Sequence, residues 1–456
     1  MNSKIQCPRY YSTNGDCQTV SLSQALLAGQ APDKGLYLPD IFPSLSNQMM
    51  DFFIGRFYYE IAVEVLWPYV SDFISRADLL AICRDAYNFN VPIEPVADLR
   101  GVSVMRLDQG PTASFKDFAA RLMARLISKI MADAGQQLTI LVATSGDTGS
   151  AVANAFHNLP LISVVILFPA DEVSKRQRQQ MTTLSGNITA IAIDGKFDDC
   201  QAMVKQAFTD PRLAGFNLSS ANSINIGRLL PQAVYYFYAA ALKCDYGQKI
   251  DFVIPCGNFG NMMGAVIAKK MGLNIGQIVV ATNANDEFPS FMQTGCYQPI
   301  KPSRNCLSNA MNVGHPSNLA RLVAIYGGQM DQTGKIQHQP DLEKMNQDIF
   351  AVSIDDETTC QAIQQAWRNH HLLLEPHGAV AWAGMEQFLA HRSANGRPVV
   401  VLETAHPAKF PDEINRLLGI TPDLPPALQD IEQLPEVFDR LPTDYEQFCQ
   451  YLLARA

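Results

Sequence analysis

Leu138-Thr139-Ile140-Leu141-Val142-Ala143-Thr144-Ser145-Gly146-Asp147-Thr148-Gly149 carries the clearest signal of fold class in this chain. Its first six residues are an apolar run broken only by Thr139, followed by a glycine-bearing polar turn and a helical run to Phe156. A strand with one wet face alternates polar and apolar residues; a strand covered on both faces does not. The same continuous apolar character returns at Leu161 to Phe168, Ile188 to Ile193, Ile250 to Ile254, Gln277 to Thr282 and Pro398 to Leu402. Helical stretches such as Asp198 to Phe208 lie between them. Buried strands alternating with helices predict an α/β fold built on parallel sheet. Such sheets receive ligands at the carboxyl ends of their strands, where the glycine-bearing turns of this chain fall.

The flanking regions read differently. Residues 1–97 are rich in aromatics, with amphipathic stretches at Phe52 to Val65 and Ser75 to Ala86. Turn signals at Ala31-Pro32-Asp33-Lys34-Gly35 and Ile41-Phe42-Pro43-Ser44 divide this region into short elements. Thr421 to Pro426 reads as a linker to a C-terminal helical tail, and no internal repeat is visible.

Bulk properties narrow the function. The 456 residues suffice for two or three domains, and 47% apolar with 17% charged residues permits a sizeable core. A net charge of -9, from 35 basic and 44 acidic residues, argues against nucleic acid or anionic membrane as the main partner. The ten cysteines are scattered singly from Cys7 to Cys449 without C-x-x-C spacing, which predicts reduced thiols and no structural metal site. The N-terminus MNSKIQCPRYYS has no apolar h-region, and no apolar run reaches the roughly 18–20 residues that span a bilayer. A soluble cytoplasmic protein is expected.

Gly110-Pro111-Thr112-Ala113-Ser114-Phe115-Lys116-Asp117 runs straight into a periodic helix, with Phe118, Leu122, Leu126 and Ile130 at four-residue spacing. Ser114 is the expected N-cap, and Asp117 suits the first turn. Lys116 is the odd member, a cation where the helix dipole disfavours one, boxed between Phe115 and Phe118. A lysine in a partly apolar, electropositive site has a lowered pKa and can serve as Schiff-base former and general base. A solvated surface lysine is the plain alternative. Pro255-Cys256-Gly257-Asn258-Phe259-Gly260-Asn261 joins a strand to a helix that runs to about Met271, an arrangement that suits either a tight connection or an anion cradle. Thr144 to Gly149 offers hydroxyls and free N–H groups at another helix start. Asn222-Ser223-Ile224-Asn225-Ile226-Gly227-Arg228 gathers two amides, a hydroxyl and a guanidinium, a donor set suited to phosphate or to pairing with a carboxylate.

Taken together, the G-P-T-x-S-F-K-D run and these loops resemble the threonine synthase family, within the fold-type II (tryptophan synthase β-like) enzymes that use pyridoxal 5'-phosphate. The likeness extends over residues 10 to about 415. It includes Tyr10 to Thr13, Ala25 to Gly29, Gly35 to Pro39, Ala170 to Leu184 and Asn309 to Arg321. The resemblance implies that Lys116 holds the cofactor covalently and acts as the catalytic base, with Phe115 beside it. It puts the cofactor phosphate on Gly257, Asn258, Phe259, Gly260 and Asn261, the ring nitrogen on Thr404 and Asp147 beside the ring. Thr144, Ser145 and Thr148 would grip the amino-acid part of the substrate. Asn222, Ser223, Asn225 and Arg228 would grip its phosphate. His406 and Lys409 are expected in outer positions without assigned chemistry. The implied organisation is an N-terminal segment 1–97, a large cofactor-binding α/β domain 98–134 plus 233–420, a small α/β domain 135–232 and a helical tail 421–456. The implied reaction converts O-phospho-L-homoserine and water to L-threonine and phosphate, in a monomer or homodimer. A phospholyase releasing a 2-keto acid and a catalytically silent binding protein share the same motifs.

Overall fold

The computed structural model describes residues 7–245, 247–391 and 396–455. The apolar runs form strands within a residue or two of the expected bounds: Leu138–Ala143, Ile162–Pro169, Ile188–Asp194, Ile250–Pro255, Ile275–Thr282 and Val399–Glu403. They are distributed over two sheets. The larger has the order Ile349–Ser353, Ile275–Thr282, Ile250–Pro255, Val399–Glu403, Val102–Arg106, Ile93–Pro95, parallel throughout except for the last pair. The smaller, wholly parallel, has the order Asp439–Pro442, Ile188–Asp194, Ile162–Pro169, Leu138–Ala143, Leu218–Ser219. Every strand of 250–255 and 399–403 is buried from end to end, which is why neither shows a polar face.

The helix Lys116–Ala134 buries Phe118, Leu122, Met123, Leu126 and Ile127 along its apolar face. Phe118 is fully buried in an aromatic nest: the rings of Tyr58, Phe89 and Tyr235 meet it edge-on at 5.3, 5.1 and 5.7 Å. Tyr58 comes from the N-terminal segment and Tyr235 from the helix Ala233–Lys243, so one apolar cluster ties that segment to both sheets. Burying a side chain of this size contributes about 2–3 kcal/mol, and favourable ring geometry adds to it.

Two expectations are corrected. The stretch 52–65 is not one amphipathic element: helix Asn47–Phe53 stops and Tyr58–Val70 starts, with Gly55 at φ 73° between them. The C-terminal tail is more than helical, since Asp439–Pro442 adds an edge strand to the smaller sheet before helix Tyr445–Leu453 packs Phe448, Cys449 and Leu452 against Cys200, Met203 and Val204. Four residues of Asp-Arg-Leu-Pro have little strand character of their own, and the proline is tolerated because the strand is at an edge. Among the described residues, no helix is long and apolar enough to cross a membrane.

Candidate active site

Five loops leave the carboxyl ends of neighbouring strands, three from the larger sheet (after 102–106, 399–403 and 250–255) and two from the smaller (after 138–143 and 218–219). In the first, residues 107–115, both carboxyl oxygens of the buried Asp117 fold back onto Thr112, accepting from its N–H (2.8 Å) and hydroxyl (2.7 Å). This closes the turn so tightly that a Cβ on Gly110 would lie 2.8 Å from Asp117 Cβ. Phe115, not Ser114, precedes the first helical residue and caps nothing; the Ser114 hydroxyl instead accepts from Lys116 N–H at 3.3 Å. The loop is laced to the one after Val399–Glu403: Phe115 N–H donates to Thr404 O (2.9 Å), and His406 N–H to Ala113 O (3.0 Å).

The Lys116 ammonium therefore starts a helix at the meeting of the two sheets. Its Nζ lies 4.7 Å from the Phe115 ring centre and 3.7 Å from Asp147 Oδ2. Burial lowers its pKa from the ordinary lysine value. The Asp147 carboxylate opposes that shift, and the cations Lys409 and Arg228 reinforce it. The other Asp147 oxygen accepts from Lys409 Nζ at 2.6 Å and from Gln177 Nε2 at 2.9 Å. Burial works against the Asp147 charge, but Lys409, Lys116 and Gln177 outweigh it and hold the carboxyl well below the usual carboxylate range. Lys409, expected in an outer position, is fully buried and also donates to Thr112 O at 3.1 Å. His406 is half-buried and accepts from Ala408 N–H.

After Ile250–Pro255 the chain makes a left-handed step at Phe259 (φ 62°) and enters helix Gly260–Lys270. Among the described residues, the backbone N–H groups of Gly257, Asn258, Phe259, Gly260 and Asn261 have no hydrogen-bond partner. Five consecutive free donors at a helix N-terminus form an anion cradle. Its side chains brace it from behind. Asn258 donates to Ser223 Oγ (2.5 Å) and accepts from Ser317 N–H (2.6 Å), and Asn261 donates to Pro255 O (2.8 Å). A Cβ at Gly257 would stand 2.9 Å from Met311 Cα and 3.0 Å from Ala310 O, so only glycine fits there.

The loop 144–149 has a division of labour that its composition hides. The Thr144 hydroxyl accepts from Gly146 N–H (3.0 Å) and Gly149 N–H (2.8 Å), so it shapes the turn and is not free for a ligand. The N–H groups of Ser145, Asp147 and Thr148 are without partners among the described residues. The segment 222–228 divides in the same way. Asn225 is fully buried, both its amide hydrogens go to Leu26 O and Ser220 O (2.9 Å each), and its oxygen takes Gly227 N–H. In this arrangement Asn225 and the Thr144 hydroxyl, both expected to meet the substrate, are spent on shaping their own turns. Asn222 donates to Ala143 O (2.8 Å), Ser223 faces Asn258, and Arg228 anchors one nitrogen on Ala221 O while its buried Nε has no partner. Burial lowers the Arg228 pKa to about 10, against a pull from Asp117. The Thr404 hydroxyl also has no partner among the described residues, although the residue is buried. Arg321, within the 309–321 block, is fully buried and holds Tyr37 O, Ser223 O, Ile224 O and Asn318 Oδ1, which clamps the segment from below.

Known proteins resemble this chain over nearly its whole length. The profile of a family described as pyridoxal-phosphate dependent enzyme matches residues 90–405; a threonine synthase N-terminal profile matches 9–87 and a threonine synthase C-terminal profile 378–452. The threonine synthase of Haemophilus influenzae is 38% identical over 438 residues, covering 96% of this chain and 97% of that protein. The chain belongs to the threonine synthase family of pyridoxal-phosphate-dependent enzymes. The threonine synthase of Escherichia coli is 37% identical, with 96% of this chain and 97% of that one covered. Among solved threonine synthases, the pyridoxal-phosphate-bound structure from Brucella melitensis superposes with a TM-score of 0.90 at 34% identity, covering 98% of both chains. The yeast threonine synthase superposes at 0.89 with 28% identity, covering 98% and 99%. The C-terminal match extends to residue 452, so the threonine synthase likeness includes the tail that the sequence motifs left unassigned.

Three residues of the site escaped sequence reasoning. Lys409 and Gln177 reach Asp147 from 262 and 30 residues away; Gln177 lies within the 170–184 block of the resemblance and Lys409 was expected in an outer position, but no contact with Asp147 was expected of either. Glu403 lies behind Thr404, where burial beside Glu375 pushes its carboxyl pKa well up, and its Oε2 has no partner. Glu375 in turn binds His377 Nδ1 (2.5 Å) and Gly378 N–H (2.9 Å) at the start of helix Pro376–His391. The only signal for it was the buried strand ending in a glutamate.

Proposed function

We propose that this protein converts O-phospho-L-homoserine and water to L-threonine and phosphate, with pyridoxal 5'-phosphate held through Lys116. The observation that carries the reading is the convergence of three complementary groups: a half-buried amine of lowered pKa, a cradle of free amides, and a buried guanidinium with an open donor. These fit the cofactor. The amides 257–261 would take its phosphate, Lys116 its aldehyde carbon and the unpartnered Thr404 hydroxyl its ring nitrogen, with Phe115 and Asp147 alongside. A hydroxyl partner, unlike a carboxylate, does not hold a full positive charge on that nitrogen. When bound, the cofactor supplies an aldehyde that bonds amines and a conjugated ring that accepts electron density released at the substrate carbons.

The chain's own residues have separate tasks. Lys116, as free amine, removes the proton from the substrate Cα and carries protons between Cα, Cβ and Cγ as the γ-phosphate leaves and water adds at Cβ. Arg228, with Ser223 and Asn222, stabilises charge growing on the departing phosphate, where preorganised donors in a buried site act most strongly. The free N–H groups of Ser145 and Thr148 suit the substrate carboxylate. The Asn258–Ser223 hydrogen bond joins the cofactor cradle to the substrate-phosphate segment and sets the distance between the two anions.

The test is incubation with O-phosphohomoserine, measuring threonine and phosphate together for wild type and Lys116→Ala. Equal yields of both from the wild type, and neither from the variant, are expected. Phosphate accompanied by 2-ketobutyrate without threonine would mean a phospholyase, and no phosphate at all a silent binding protein.

A further inference from the structure

Asp147 has two lysines, and it does not share itself equally. Lys409 Nζ sits 2.6 Å from one oxygen, and Lys116 Nζ is left at 3.7 Å from the other. Gln177 binds the same oxygen as Lys409, and Lys409 is itself moored to Thr112 O, so the carboxylate is drawn from two sides onto Lys409. We propose that Lys409 is a positioning residue that holds the Asp147 carboxylate on its own ammonium and so leaves the Lys116 amine free to shed its proton. This rests on the reading of Lys116 as the cofactor-bonding residue.

The alternative state shows why a second cation is needed. A buried carboxylate must keep a counter-charge. Without Lys409, the only amine in reach of Asp147 among the described residues is Lys116, and a close ion pair there would fix Lys116 as an ammonium, which can neither bond an aldehyde nor accept a proton. The charged and titratable groups facing Lys116 are Asp147, Lys409, Arg228 and Glu375, with Asp117 following it on the same helix. Lys409 is the one that contacts Asp147 directly, so its removal acts twice, by deleting a like charge and by releasing the carboxylate toward Lys116. Closing the 3.7 Å gap to a normal ion-pair distance at an effective dielectric near 20 favours the Lys116 ammonium about tenfold over the free amine at a given pH.

The test follows Lys116 chemistry, not turnover. Apoprotein is mixed with pyridoxal 5'-phosphate across a pH series and trapped with borohydride, and the adduct on Lys116 is quantified by peptide mapping. Lys409→Gln, which removes the cation that holds Asp147 away from Lys116, is expected to move the midpoint up by about one pH unit. Lys409→Arg, which keeps the cation, is expected to hold the wild-type midpoint, and it carries the test if Lys409→Gln does not fold. In an Asp147→Asn background the Lys409→Gln shift should shrink to less than half, because only direct repulsion remains. An unmoved midpoint in Lys409→Gln, an equal shift in both backgrounds, or a full shift in Lys409→Arg overturns the proposal while Lys116 stays the bonded residue. An adduct on another residue in the wild type overturns the functional reading instead.

Discussion

Replacing Gly257 with alanine tests whether the 257–261 turn is a phosphate cradle or a tight connection. The new Cβ would stand 2.9 Å from Met311 Cα and 3.0 Å from Ala310 O, both backbone atoms that cannot swing aside. Comfortable carbon contacts begin at about 3.5 Å, so the turn must retreat by roughly half an ångström or more. Overpacking of this kind costs about 1–3 kcal/mol. The rest of the turn is pinned by Asn258, Asn261 and the buried Phe259 ring against Phe288, so the displacement falls on the backbone around Gly257 and most of that cost should appear in the aim of the free amides. It corresponds to a cofactor dissociation constant raised about 5- to 150-fold. Gly260→Ala is the internal control: its Cβ meets only the Gln232 Nε2 end at 3.3 Å and Ser223 Cβ at 3.8 Å, and a side-chain end can yield. Titrating pyridoxal 5'-phosphate into each apoprotein by absorbance, with melting curves of the apoproteins alongside, separates aim from stability. A Gly257→Ala constant within twofold of wild type at unchanged melting, or Gly260→Ala weakening more than Gly257→Ala, would refute the cradle.

Other outcomes follow from single side chains. Phe118→Ala should cost about 3–5 kcal/mol in denaturant unfolding, because the cavity would lie among Tyr58, Phe89 and Tyr235, rings anchored on three different segments. Arg228→Gln should lower kcat/KM for O-phosphohomoserine about 10- to 100-fold while cofactor affinity stays within a few-fold, since only a charged donor toward the leaving phosphate is lost. Glu287 is buried with both carboxyl oxygens unpartnered, and burial raises its pKa to about 8. Its folded pKa exceeds its unfolded value, so the wild type is most stable below about pH 4.5 as far as this group is concerned and loses stability up to about pH 8. Glu287→Gln should remove that loss, and thermal melts between pH 5 and 8.5 should then fall less steeply by about 3–5 kcal/mol across the range.

Much of this molecule is legible in its sequence because its strands are covered on both faces. A run such as Ile250 to Ile254 admits few other readings, and the carboxyl end of such a strand marks where a ligand loop must be. Lys116 stood out by being a cation at a helix start between two phenylalanines. What stayed hidden depended on partners distant in sequence. Lys409 reads as a surface lysine until Asp147, from the other sheet, arrives to neutralise it. Asn225 and Thr144 have the right chemistry for a ligand, yet their hydrogen bonds are consumed within their own turns, which composition does not reveal. Strand Asp439–Pro442 exists because the edge of Ile188–Asp194 offers it backbone partners, not because its residues favour extension. Gly55 broke a stretch whose apolar spacing alone suggested continuity.

Two amines face the same carboxylate, the half-buried Lys116 and the buried Lys409, and the whole account turns on which one bonds the cofactor. Borohydride reduction of the isolated holoprotein followed by peptide mapping decides it. A single pyridoxyl adduct on Lys116 is the expected result; an adduct on Lys409, or on any other residue, would contradict the account.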